Sequence, residues 1–88
     1  MKRIFKYPLS PRNTQTIEMH QGDILKVGTL RNVVFIWALV DPDLPTVKRS
    51  FAVVLTGREC KHAKAEYLGT VAVDNNTVVL HVFEVVAA

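Results

Sequence analysis

Hydrophobic and polar residues alternate in short runs along this chain, and turn-favouring residues separate the runs. Alternation with a period of two puts successive side chains on opposite faces of an extended backbone, so each run predicts a β-strand. Residues 1–6 make a first strand. The segment 7–13 interrupts it, because Pro8 and Pro11 fix φ and remove two backbone donors. Residues 14–20 alternate cleanly, with Ile17 and Met19 on one face and Thr16, Glu18 and His20 on the other. Gln21, Gly22 and Asp23 read as a turn in which glycine supplies a positive φ. Residues 24–30 resume the strand with Leu25 and Val27 inward.

A two-residue break, Arg31 and Asn32, precedes the most apolar stretch, 33–40. Val33, Phe35, Trp37 and Leu39 share one face there; Val34, Ile36, Ala38 and Val40 share the other. A strand apolar on both faces is central and covered on both sides, or it lies at a subunit interface. Turn residues from Asp41 to Pro45 end it, and β-branched and aromatic residues predict a further strand over 49–56. Residues 58–66 lack the alternation and predict a loop or about two turns of helix. The clearest hairpin joins 67–73 to 77–85 through Asp74, Asn75 and Asn76, since Asn tolerates the left-handed conformation of tight turns. The fold class expected is mostly β: a small antiparallel β-sandwich or partly open barrel of six to seven strands, in one domain over 1–88.

Composition adds one question. Hydrophobic residues make up 49% of the 88 positions, and the strand at 77–85 is again apolar on both faces. Either the core is dense or a second apolar face is buried in a homo-oligomer, and two such strands in so short a chain favour the oligomer. The net charge of +3 is dispersed over three groups: Lys2, Arg3 and Lys6; Lys48 and Arg49; Arg58, Lys61 and Lys64. Such a charge predicts a solubilising surface rather than nucleic-acid binding. The one cysteine, Cys60, precludes an internal disulfide and points to a reducing cytoplasm. The N-terminal charges precede no apolar run of signal-peptide type, and 33–40 is too short to cross a membrane, so a cytoplasmic protein is expected.

Candidate chemistry is sparse. Asp41 and Asp43 flank a proline and read as turn residues. His20, His62 and His81 are too scattered to predict a metal site, and no phosphate-binding or nucleophile-elbow motif occurs. No catalytic residue, metal or cofactor is expected, and the chain is read as a non-enzyme. Binding is easier to argue. Arg58, Lys61, His62 and Lys64 next to Tyr67 combine phosphate-pairing cations with a ring that stacks on a base; Arg31 and Arg49 at strand ends join them. This predicts a nucleotide or another phosphorylated small molecule. Trp37, Phe35, Phe83 and His81 are the candidate interface residues.

Several phrases stand in a fixed order: Lys6-Tyr7-Pro8-Leu9, Gln15-Thr16-Ile17-Glu18-Met19, Trp37-Ala38-Leu39-Val40-Asp41-Pro42, Tyr67-Leu68-Gly69-Thr70-Val71 and Leu80-His81-Val82-Phe83-Glu84. In this order the chain resembles a family of small, functionally unassigned bacteriophage proteins. It departs from that pattern at 58–66, which is basic here. The resemblance implies an accessory protein in the host bacterial cytoplasm that counteracts antiviral defence. Two modes are then open: sequestering a nucleotide-derived immune signal, or inhibiting a defence effector such as a CRISPR-Cas complex by direct protein contact.

Overall fold

The computed structural model describes residues 1–11, 13–61 and 64–85, with only the backbone of Asn13. Among the described residues the chain forms strands and no helix: β1 (Arg3–Leu9), β2 (Asn13–His20), β3 (Gly22–Leu30), β4 (Val33–Val40), β5 (Thr46–Leu55), β6 (Ala65–Val73) and β7 (Val78–Val85). They assemble into two antiparallel sheets, a three-stranded one ordered β1-β4-β3 and a four-stranded one ordered β2-β5-β7-β6. The Cα atoms span 39 × 32 × 15 Å, and the thin dimension is that of two stacked sheets. The architecture is thus a sandwich and not a closed barrel.

The core lies between the sheets. Val34, Ile36, Ala38 and Val40 of β4 face Met19, Phe51, Val53, Leu80 and Val82 of the opposite sheet, and all of them are buried. The other alternation of β4 faces outward, half-buried at Phe35, Trp37 and Leu39 and exposed at Val33. Among the described residues no third layer covers that outward face, so burial in the core accounts for only one of the two apolar alternations of β4.

Turn chemistry follows the side chains. Asp74, Asn75 and Asn76 all have positive φ, between 52° and 64°, as the β6–β7 hairpin requires. Arg31 (φ 49°) and Asn32 (φ 64°) form the two-residue β3–β4 hairpin in the same left-handed region. The two hairpin tips meet at one end of the sandwich. Asn32 Nδ2 donates to Asp74 Oδ1 at 3.3 Å, and the Asp74 amide donates to Asn32 Oδ1 at 3.1 Å. Gln15 secures the β1–β2 crossing at that end: its Oε1 accepts from the Ser10 amide at 2.6 Å, and its Nε2 donates to the Ser10 carbonyl at 2.9 Å.

Four features depart from the sequence pattern. Tyr7, Pro8 and Leu9 belong to β1 rather than to a break, with Pro8 opposite Phe35. β1 is an edge strand with one partner, so the missing proline N–H is tolerated there. Leu25 is 53% exposed instead of inward, because a bulge between Ile24 and Lys26 reverses the alternation and turns Ile24 and Val27 to the core. β5 begins at Thr46, and β6 begins at Ala65, so the loop before β6 is shorter than the pattern predicts; its described residues are irregular.

Gly22 is the fourth. Its φ is not positive, so conformational freedom is not what the position demands. A Cβ built there would overlap the Leu39 carbonyl oxygen and crowd Val40 Cα, both of them backbone atoms that cannot swing aside. Glycine is needed because two backbones touch. Gly57 is the contrast, with φ 90° and open space where a side chain would stand. Gly22→Ala is therefore expected to lower stability by about 3 kcal/mol or more, against about 1 kcal/mol for Gly57→Ala. Urea unfolding midpoints of the two variants check this ordering.

Candidate functional site

β5 ends at Leu55, and the chain turns at Thr56 and Gly57, closed by a hydrogen bond from the Arg58 amide to the Leu55 carbonyl at 3.0 Å. The turn throws residues 58–61 over the end of the sandwich where the two hairpin tips meet. The result is an open cleft of about 1090 Å³. Its floor is apolar, formed by Val53, Leu55, Val78 and Leu80 among others, and Arg58 and Lys61 stand at its mouth. Glu59 and Asp74 also line it, so its charge is mixed. Asp74 is partly occupied by Asn32. The volume slightly exceeds the usual range of small-molecule sites, and the cleft is open to solvent.

The remaining predicted binding residues do not all gather here. Arg31 lies at the same end but lines a separate, shallower depression of about 430 Å³ with Lys6, Leu30, Val33 and Phe35. Lys64 directly precedes β6, whose first residue pairs with Val85 at the far end of the sheet, so the length of β7 separates it from Arg58. Tyr67 is 58% exposed on the outward face of the four-stranded sheet, its ring edge-on to Phe83 at 5.6 Å. His62 lies outside the described residues.

Arg49 has a different occupation. It points into the far end of the sandwich, where its Nε and Nη2 donate to the two carboxylate oxygens of Glu84 at 2.6 and 2.7 Å. Nη1 donates to the Gly22 carbonyl at 2.6 Å. The bidentate pair has side-chain exposures of only 19% and 18%. The Glu84 hydrogen bonds raise the Arg49 pKa above its ordinary value; burial opposes them, and charge attraction to Glu84, Asp23 and Glu66 adds to them. Arg49 thus ties β5, β7 and the start of β3 together at the end opposite the cleft.

The candidate interface residues fall on two opposite faces. His81 lies on the outward side of β7, where Nε2 shares a hydrogen bond with Thr56 Oγ1 (2.7 Å) and Nδ1 shares one with Thr70 Oγ1 (2.9 Å). Thr70 Oγ1 in turn meets the Tyr67 hydroxyl at 2.5 Å. Both imidazole nitrogens are therefore engaged, one by a side chain of β6 and one by a side chain of the turn that follows β5. Phe35 and Trp37 occupy the outward face of the other sheet, 5.9 Å apart by ring centroids. Lys6 and Lys26 flank Trp37 in register, and Lys6 Nζ sits 5.0 Å from the Phe35 centroid. Neither lysine stands out in the sequence as a site residue. Alternation alone puts Lys6 on the outward face, but only the pairing of β1 and β3 with β4 sets both beside the tryptophan. Among the described residues no three His, Cys, Asp or Glu side chains converge on a metal position. No helix there is long and apolar enough to cross a membrane.

Comparison with known sequences matches residues 1–88 to the family described as Domain of unknown function (DUF7352), and the chain belongs to that family. No curated protein and no solved structure matches it significantly.

Arg49 and Glu84 generate a prediction that separates a structural role from a binding one. Arg49→Met leaves a half-buried carboxylate unpaired and is expected to cost up to about 3 kcal/mol. Adding Glu84→Leu is expected to recover most of the loss. Chemical denaturation of the single and double variants reads out both terms.

Proposed function

We propose that this member of a family without an assigned activity is a non-enzymatic binding protein that captures a phosphorylated small molecule of nucleotide type in the end cleft. The observation that carries the reading is the placement of Arg58 and Lys61 at the mouth of an apolar-floored cleft of nucleotide size. The floor takes a base or ribose by burial of apolar surface, and the two cations take the phosphates by charge-assisted hydrogen bonds. Binding rather than turnover is favoured because Arg58 and Lys61 line the cleft, while the His81 imidazole, with its short hydroxyl contacts, sits on the outward face of β7.

The resemblance to bacteriophage proteins supplies the ligand class. A nucleotide-derived immune signal of an infected bacterium, held away from its receptor, fits a cleft of this size and chemistry. In this reading the protein acts in the host cytoplasm.

Isothermal titration against a panel of cyclic oligonucleotides and ADP-ribose-type nucleotides tests the proposal. One or more members are expected to bind, and the double variant Arg58→Ala/Lys61→Ala to weaken that binding by about ten- to a hundredfold. Absence of heat across the panel, or full affinity in the double variant, contradicts it.

A further inference from the structure

The outward face of the three-stranded sheet is built in cross-strand rows. Lys6, Trp37 and Lys26 form one row; Pro8, Phe35 and Gly28 form the next; Ile4, Leu39 and Asp23 lie beyond. β4 supplies the middle of each row. Two aromatic rings therefore stand two residues apart along one strand, with a lysine on each side of the tryptophan.

Gly28 shapes the pair. A Cβ there would lie 3.2 Å from Trp37 Cζ3, so the indole leans across the glycine towards Phe35. The depression of about 430 Å³ beside Phe35 adds Arg31 and Lys6 over Leu30 and Val33. Lys6, Lys26 and Arg31 are all exposed, and none is ion-paired among the described residues. On this face they outnumber one acid, Asp23.

Charge decides what this face accepts. A second copy of the same face would bring six of these cations into one interface, with one Asp23 from each copy to offset them. A purely apolar partner would leave the three cations desolvated without counter-charges. An occupant with planar rings at regular intervals and an anionic backbone satisfies both parts of the surface. We propose that the outward face of β1-β4-β3 is a stacking platform for single-stranded nucleic acid. Successive bases lie on Phe35 and Trp37, and the phosphates run past Lys6, Lys26 and Arg31. The modest net charge of +3 argued against a nucleic-acid partner; the local gathering of unpaired cations around two rings reverses that argument. This surface is distinct from the end cleft, and neither proposal depends on the other.

Trp37 is the only tryptophan, so intrinsic fluorescence reports directly on the platform. The test titrates oligothymidylate and oligouridylate of about twelve nucleotides into the protein at about 50 mM salt, with anisotropy of a labelled oligonucleotide as the second readout. Saturable quenching of Trp37 is expected. The affinity is expected to fall about ten- to twentyfold on raising salt to about 200 mM, the response to neutralising roughly three phosphates of a single strand. Phe35→Ala is expected to weaken binding about tenfold. Phe35→Leu, which keeps apolar bulk and removes the ring, covers the case in which the alanine variant does not fold. Lys6→Gln/Lys26→Gln is expected to flatten the salt dependence. A preference between the two oligonucleotides identifies DNA or RNA as the occupant. The proposal is overturned by no quenching and no anisotropy change, by binding indifferent to Phe35→Ala and Phe35→Leu, or by a dimer in solution whose dissociation exposes Trp37. Protein capture that displaces no oligonucleotide would equally count against it.

Discussion

The chain passes from the four-stranded to the three-stranded sheet between His20 and Gly22, and the crossing leaves no room for a side chain. The Gly22 backbone lies against the Leu39 carbonyl, and its own carbonyl accepts from Arg49, whose guanidinium is fixed by Glu84. This contact anchors the start of β3 opposite Val40. Beyond that anchor the bulge after Ile24 shifts the register, and Lys26 lies beside Trp37. The core and the outward rows of the three-stranded sheet therefore depend on one close backbone approach braced by one ion pair.

The opposite end is organised by weaker means. Hydrogen bonds between Asn32 and Asp74, and the paired bonds of Gln15 with Ser10, bring hairpin tips and a crossover together without a salt bridge. Such contacts hold loops at the cost of little burial, which is the usual condition for a ligand-binding edge on a rigid scaffold. Arg58 and Lys61 lie on this more loosely held end. The far end carries the bidentate Arg49–Glu84 pair.

Much of this was legible in local pattern. The bounds of β4 coincide with the apolar run from Val33 to Val40, and the left-handed residues at Asp74, Asn75 and Asn76 sit where asparagine chemistry puts them. What was not legible is non-local. Pro8 is tolerated because β1 has one neighbour, a property of sheet order. Leu25 faces out because of a bulge that no residue type announces. Arg49 reads as a free cation until folding brings Glu84, 35 positions away, against it. For the same reason Lys6 and Lys26 become neighbours of one indole only through register, while the basic loop at Arg58 and Lys61 was visible because loops escape alternation.

Pairing with β4 assembles Lys6, Phe35, Trp37 and Lys26 into one surface, the proposed nucleic-acid platform. A chemical-shift map of the backbone amides and the Trp37 indole N–H, recorded with a short single-stranded oligonucleotide, tests this most directly. The account predicts perturbations concentrated along β4 and its flanking positions in β1 and β3, with the indole resonance among the largest. Perturbations confined to the four-stranded sheet, or an indole resonance that does not move at saturation, would contradict it.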